Sequence, residues 1–313
     1  MREIVDLISL WQRYRGQQMA LATLVRTQGS SYRRPGARML ICSDRTTAGS
    51  LSGGCLEELV VQRALEVLAS GRPFLMHFDT RLRFGCNGTI EVFVEVVREG
   101  FIAQICEHFR ERRSCRVRTI FSGQEDKLGS SILTAEGEAP PEAFIQDLQP
   151  PIQLLIFGDG PDSVPLCSFA DILGWKVINV DQSTELGPLV DGRTAAIIKS
   201  HNYGRDFVAL QSLLPLNLRY IGLLGPRKRR DQLLNALLDD GVSLNAELFA
   251  PAGFDLGAET PEEIALSIVS EINAVLAGAT GESLRDYVAP IHGSNPISTP
   301  DCMQGEEWTV SAR

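Results

Sequence analysis

Apolar positions along the chain follow two rhythms, and the change between them divides it. Near the start, "REIVDLISLWQRY" repeats apolar residues at three- and four-residue steps and predicts an amphipathic helix over residues 2–14. "MALATLVRT" (19–27) and "RMLIC" predict two strands, joined by the polar turn "QGSSYRRPGA". A loose loop, "GSLSGGC", leads into "CLEELVVQRALEVLAS". There Leu56, Leu59, Val60, Ala64, Val67 and Leu68 mark one face of a helix that Gly71 and Pro73 stop. "FLMHFD" predicts a strand, "RFGCNG" a glycine-bounded turn, and "TIEVFVEVV" a half-buried strand by its alternation. A helix over 101–112 and strands over 116–121 and 130–134 complete this part.

The stretch "EGEAPPEAFIQDLQPP" carries two Pro-Pro pairs and little apolar periodicity, and is expected to be an interdomain linker. After it the rhythm changes. "IQLLIFGDG" is a continuous apolar run into glycines, as in a buried parallel strand. "WKVINVD", "TAAIIKS" and "RYIGLLG" predict further strands, separated by helical stretches, and strands alternating with helices mean a doubly wound parallel sheet. "TPEEIALSIVSEINAVLAG" predicts a helix with Thr260 as N-cap, Pro261 at the first helical position and Glu263 at the third. The expected class is therefore α/β. Residues 1–137 form an α+β domain with a cysteine-bearing Gly-rich loop. A linker follows over 138–151, then a Rossmann-like doubly wound domain over 152–279, and a polar tail over 280–313.

Composition narrows the function. The 313 residues carry a net charge of −9, which argues against a general nucleic-acid binder. Nothing approaches the ~20 unbroken apolar residues of a membrane span. The N-terminal helix has no apolar h-region or small-residue cleavage site, so a cytoplasmic protein is expected. Seven cysteines with no C-x-x-C fit reduced thiols better than disulfides or a dedicated metal site. Cys42, Cys106, Cys115 and Cys167 lie in apolar patterns and are expected in the core. Local basic clusters, Arg33, Arg34 and Arg38, and Arg227 to Arg230, suit either a small anion or a solvated turn.

"FGDGPDS" sits between strand and helix. Gly158 and Gly160 match the first two glycines of G-x-G-x-x-G, Ser163 stands in place of the third, and Asp181 ends the next strand where an acidic residue would meet a ribose. Asp159 and Pro161 work against a pyrophosphate, one by charge and one by removing an N–H donor. NAD(P) binding thus stays open as an alternative. His201, at the carboxyl edge of the sheet, pairs with Asp206 for acid–base chemistry or caps its loop. Asp255 in "FDLGAET" either serves a site or caps its own turn.

Taken together, "GSLSGGCLE", "FGCNGTIEVFVE", "FGDGPDSVPL", "VINVD", "YIGLLGPRKRR" and "FDLGAETPEEIALSIVSEINA" resemble the XdhC/CoxI family. The likeness runs from about residue 10 to "PIH" at 290–292. It implies a maturation factor for xanthine dehydrogenase-type molybdoenzymes, acting as a homodimer and without turnover of its own. Such a protein binds molybdenum cofactor, in its mononucleotide-like or dinucleotide form. It protects the cofactor while an oxo ligand is exchanged for sulfur, with a cysteine desulfurase as partner, and passes it to the apoenzyme. The family's loop cysteine falls on Cys55, beside Gly53 and Gly54, and its second motif cysteine on Cys86. Its basic turn falls on Arg33, Arg34 and Arg38. Asn87 stands where the family has a second glycine, and "GDGP" replaces the usual loop of the second domain. A thiol at a helix start has its thiolate favoured, and the free N–H groups there suit a phosphate. Cys55 is then a sulfur or metal ligand, and the alternatives are a persulfide-bearing sulfurtransferase or a small residue under a tight turn. The carboxyl edge of the second domain, with its glycine loop, His201 and Arg227, is expected to face the cysteine loop of its own or a second chain. Leu7, Leu10 and Trp11 on the first helix are expected to offer a dimer surface.

Overall fold

The computed structural model describes residues 2–29, 31–54, 56–79, 88–133, 143–181, 184–242 and 247–286. Residues up to Gly281 make one compact unit, and the segment from Glu282 is a separate one. The first half of the large unit is built on an antiparallel sheet of five strands: β1 (Met19–Gly29), β2 (Arg38–Cys42), β3 (Thr47–Gly49), β4 (Phe74–Asp79) and β5 (Gly88–Val96). Their order in space is β3-β2-β1-β5-β4. Three helices pack on it, α1 (Arg2–Arg13), α2 (Glu57–Ser70) and α3 (Phe101–Arg110). Alternation sorts the side chains. Ala20, Ala22, Leu24, Met39, Ile41, Val92 and Val94 face one way, where α2 covers them with Val60, Ala64 and Val67. Met19, Leu21 and Leu40 face the other way, onto Leu7 and Leu10 of α1 and onto Phe101, Ile102 and Ile105 of α3. With both faces covered, β1 is buried from Met19 to Val25, which is why "MALATLV" shows no polar alternation.

Leu7 and Leu10 are therefore core residues, 4% and 5% exposed, and are not offered to a dimer, while Trp11 is half-buried against the same cluster. A second difference lies in the expected linker. Strands β6 (Cys115–Ile120), β7 (Gly129–Ile132) and β8 (Ala143–Leu148) form a small antiparallel sheet in the order β7-β6-β8. The segment 143–148 is thus a strand inside the first domain. Phe144, Gln146 and Leu148 pair with Thr119, Val117 and Cys115. Pro150 and Pro151 follow the strand, and a polar Gln146 on its inner face conceals the period-two pattern.

The second half is a parallel sheet of β9 (Gln153–Phe157), β10 (Lys176–Val180), β11 (Thr194–Ile198), β12 (Tyr220–Leu223) and β13 (Leu248–Phe249), ordered β10-β9-β11-β12-β13. Helices α4 (Ser163–Ile172) and α7 (Pro261–Ala277) cover one face, and α5 (Tyr203–Leu213) and α6 (Arg227–Asp239) the other. The strand order reverses between β9 and β11, so the crevice beyond their carboxyl ends is the place where ligands bind in such folds. Helix α7 begins with the expected capping box of Thr260 and Glu263. Thr260→Ala is expected to cost about 1 kcal/mol in a urea melt and to leave every ligand property unchanged.

The halves meet at the amino edge of the parallel sheet. Arg112 grips Asp191 with Nε and Nη2 at 2.7 and 3.0 Å and donates to the Pro151 carbonyl at 2.6 Å. Arg2 donates to the Asp171 carbonyl and lies against Gly174. Asp171, Gly174, Pro151 and Asp191 all lie before strands, whereas the glycine loop, His201 and Arg227 all follow strands. Within the chain these contacts with the first domain therefore lie at the edge opposite to the one that would face its own cysteine loop. No described helix is long and apolar enough to cross a membrane.

Candidate functional site

Cys55 and Cys86 lie outside the described residues, as does Asn87. The backbone on either side of Cys55 is described, and one residue organises it. Glu57, in the first turn of α2, folds its carboxylate back into the loop. Oε1 accepts from the Ser50 hydroxyl at 2.8 Å, Leu51 N at 3.1 Å and Ser52 N at 2.9 Å. Oε2 accepts from the Ser52 hydroxyl at 2.7 Å, Gly54 N at 2.9 Å and Leu56 N at 3.1 Å. Partial burial works against the charge, but the hydrogen bonds from Ser52 and Ser50 outweigh it and hold the carboxyl down at about 2. The sequence leaves the helix-start N–H groups free for a ligand's phosphate. Those flanking Cys55 instead serve the chain's own carboxylate, which supplies the negative charge that a helix N-terminus favours. Gly53 and Gly54 have φ of 85° and 121°, a conformation closed to most other residues.

The basic turn is also different from expectation. Arg33 forms an ion pair with Glu3 of α1. Arg38 is 2% exposed, with Nη1 donating to the Gly36 carbonyl at 3.1 Å and to Gln146 Oε1. Burial pulls its pKa down to about 10, against the pull of Glu3 and Glu95. Its charge is spent between two sheets and not offered at the surface. Arg34 is exposed and is engaged in interactions of its own.

In the second domain the nucleotide-like loop is filled from within. A Cβ on Gly158 would stand 2.6 Å from Ser200 Cα, so the glycine is required by the close approach of two chain segments. A Cβ on Gly160 would stand 2.7 Å from Asp162 Oδ1. That carboxylate accepts from Lys199 Nζ at 2.8 Å, and the lysine also donates to the Asp159 carbonyl at 3.4 Å. The Lys199 side chain is 0% exposed and that of Asp162 24%. An internal anion with its own counter-ion thus occupies the mouth of α4, where Ser163 is the first residue. Asp181 accepts from the Thr184 hydroxyl at 2.9 Å, closing its own turn.

His201 and Asp206 do not form the expected pair. His201 is exposed, with φ 54° and Nε2 3.8 Å from Asp162 Oδ2. Asp206 is fully buried and bound by the Ser200 hydroxyl and by Arg229. The loop there is capped by Asn202, whose side chain accepts from Arg205 N at 3.1 Å. Arg227 is exposed at the start of α6, and Asp255 accepts from Gly257 N at 3.4 Å within its own turn. Of the other thiols, Cys42 and Cys115 are buried, and burial pushes Cys115 up to about 11; Cys106 and Cys167 are half-buried. Among the described residues no group of three His, Cys, Asp or Glu is placed to hold a metal ion.

Sequence reasoning misses Glu57, Asp162 and Lys199. For Glu57 a signal exists, a carboxylate two residues after the loop cysteine in the first helical turn. For Lys199 the only sign is a cation ending a continuous apolar strand.

Residues 12–79 match the XdhC and CoxI family, and residues 154–272 match the XdhC Rossmann domain. The first stretch contains the loop that Glu57 braces, and the second spans the parallel sheet. The chain is 31% identical over 318 residues to a Bacillus subtilis (strain 168) protein described as a probable xanthine dehydrogenase subunit, covering 82% of this chain and 92% of that one. It is 25% identical over 275 residues to the molybdenum cofactor insertion chaperone PaoD of Escherichia coli (strain K12), covering 83% and 84%. A crystal structure described as a xanthine dehydrogenase from Bacillus halodurans matches with a TM-score of 0.73 and 26% identity, over 90% of this chain and 98% of that one. With both domains matched in order and a relative aligned over most of its length, the chain belongs to the XdhC and CoxI family.

Proposed function

We propose that this protein holds molybdenum cofactor as cargo, supports its sulfuration, and delivers it to an apo xanthine dehydrogenase-type enzyme. The observation that carries this is the loop around Cys55. Six hydrogen bonds to Glu57 fix its shape, while Gly53 and Gly54 leave its outer side free of side chains of their own. A loop of this kind lets a bulky ligand approach the backbone, and the sequence sets one soft ligand, Cys55, in the same loop. The names of the Bacillus subtilis and Escherichia coli relatives point the same way. A reducing compartment, the cytoplasm, suits a free thiol in this role. A cysteine desulfurase would supply the sulfur. Self-association follows from the family resemblance alone, since Leu7 and Leu10 are used inside the chain.

No turnover is assigned to the protein. An NAD(P)-dependent reaction is disfavoured by the Asp162–Lys199 pair, which fills the seat a pyrophosphate would need. A persulfide on Cys55 is the closest alternative, and mass spectrometry after incubation with a desulfurase separates it from cargo binding.

The test is cargo per chain, by metal analysis and pterin fluorescence, in protein purified from cells that make the cofactor. Cys55→Ala is expected to lose most of the molybdenum and pterin and to melt within a few degrees of the parent. Cys86→Ala is expected to lose less. Cys167→Ala, in a half-buried position of α4, is expected to lower the melting temperature and keep its cargo. A Cys55→Ala protein that holds cofactor like the parent would refute the assignment.

A further inference from the structure

We infer that the cysteine loop meets the cofactor through its pterin ring, stacked on Tyr32, and not through its phosphate. This rests on the cargo reading above and adds to it the end of the cargo that is recognised. Tyr32 is the most exposed of the large apolar side chains among the described residues, at 67%. It is not adrift. Its ring lies across Gly53, with Cε1, Cδ1 and Cζ at 3.0, 3.4 and 3.5 Å from where a Cβ on that glycine would stand. The missing Cβ is what lets the ring rest on the loop. One side of the ring is thus seated on the backbone of Gly53, two residues before Cys55 in the chain, and most of the rest is left to solvent.

The loop's described donors work against the phosphate. The N–H groups of Gly54 and Leu56, which flank Cys55, both already donate to Glu57 Oε2. A second anion beside that carboxylate would meet like charge. The neighbouring Arg33 is paired with Glu3, and Arg38 is buried. The loop therefore offers glycine backbone and an aromatic face, a combination suited to a flat heteroaromatic ring. Stacking of this sort tolerates many ring types and is weakened most by loss of the aromatic side chain.

The experiment compares Tyr32→Ala, Tyr32→Leu and Tyr32→Phe with the parent in the full chain. Isolated molybdenum cofactor is titrated into protein stripped of cargo, and quenching of pterin fluorescence is followed alongside metal binding. Tyr32→Phe is expected to bind and quench like the parent. Tyr32→Ala and Tyr32→Leu are expected to bind about 10-fold or more weakly and to lose the quenching, on the scale of one base–aromatic stack. Inorganic pyrophosphate in millimolar excess is expected to leave binding unchanged. Equal binding and equal quenching in Tyr32→Ala, with cargo retained by the parent, would overturn the stacking while leaving the cargo reading intact. Competition by pyrophosphate would overturn it too, in favour of the phosphate end. A parent chain that binds neither metal nor pterin would remove the cargo reading and this inference with it.

Discussion

Replacing Glu57 by alanine is expected to disorder the loop around Cys55, to lower stability by about 3 kcal/mol and to abolish cargo retention. The carboxylate accepts six hydrogen bonds, two from hydroxyls and four from backbone N–H groups of a single turn. Hydrogen bonds to a charged acceptor contribute about 1.5–3 kcal/mol each, but six sharing one acceptor do not add, and the exposed donors turn to water once it is gone. Glu57→Gln is nearly isosteric yet also fails. Both oxygens of Glu57 accept, so the amide NH2 must face at least one N–H. Glu57→Asp is one methylene too short to reach both sets of donors. The pH dependence has a definite sign. The carboxyl is held at about 2, below its ordinary 4.5, so its stabilisation is present above 4.5 and is lost as pH falls from there towards 2. The stability gap between parent and Glu57→Gln, from urea melts, is therefore expected to be widest at neutral pH and to narrow below 4.5. A gap that stays constant from pH 7 to pH 3 would mean that the carboxylate does not brace the loop as an ion.

The second large effect is expected at Asp162. Its removal leaves the Lys199 ammonium, 0% exposed, without a counter-charge, and breaking a buried pair from one side costs about 3 kcal/mol or more. In a protein of this size that lowers the melting temperature by about 5 °C. Lys199→Met is expected to cost much less. The Asp162 side chain is 24% exposed and can turn to water, while methionine fills the space of the lysine stem. The double variant is expected to recover most of the loss seen in Asp162→Ala, because the uncompensated charge disappears. Thermal melts of the three proteins check the order. Equal losses for the two single variants would show that packing, and not charge, makes this pair matter. None of the three is expected to change cargo retention.

The legible parts of the fold are those with local causes. The alternation of buried strands and helices after residue 152 specifies the parallel sheet, and Thr260 with Glu263 specifies where α7 begins. Strand β8 is hidden because prolines flank it and because its inward Gln146 answers to Arg38, 108 positions away in the chain. Arg38 itself reads as a surface cation in a basic turn, since nothing near it in sequence reveals the two sheets that enclose it. The two glycines of "GDGP" read as a ligand signature. Their actual neighbours are Ser200 and Asp162, so the loop is shaped by the protein's own atoms. Glu57 is written beside the cysteine, but its reach back over seven residues, to Ser50, is a matter of folded geometry. The docking of the first domain on the amino edge depends on Arg2 and Arg112, two cations that no periodicity distinguishes from solvated ones.

The central claim is that cargo sits on the cysteine loop, and differential alkylation tests it without changing a residue. Loaded and stripped protein are treated with iodoacetamide, and each cysteine is followed by peptide mass spectrometry. Half-buried Cys106 and Cys167 serve as internal references. Cys55 is expected to react in the stripped protein and to be shielded in the loaded one, while the two reference thiols react alike in both. Cys55 reacting at the same rate in both, with molybdenum and pterin still bound to the loaded chain, would place the cargo elsewhere and contradict the claim.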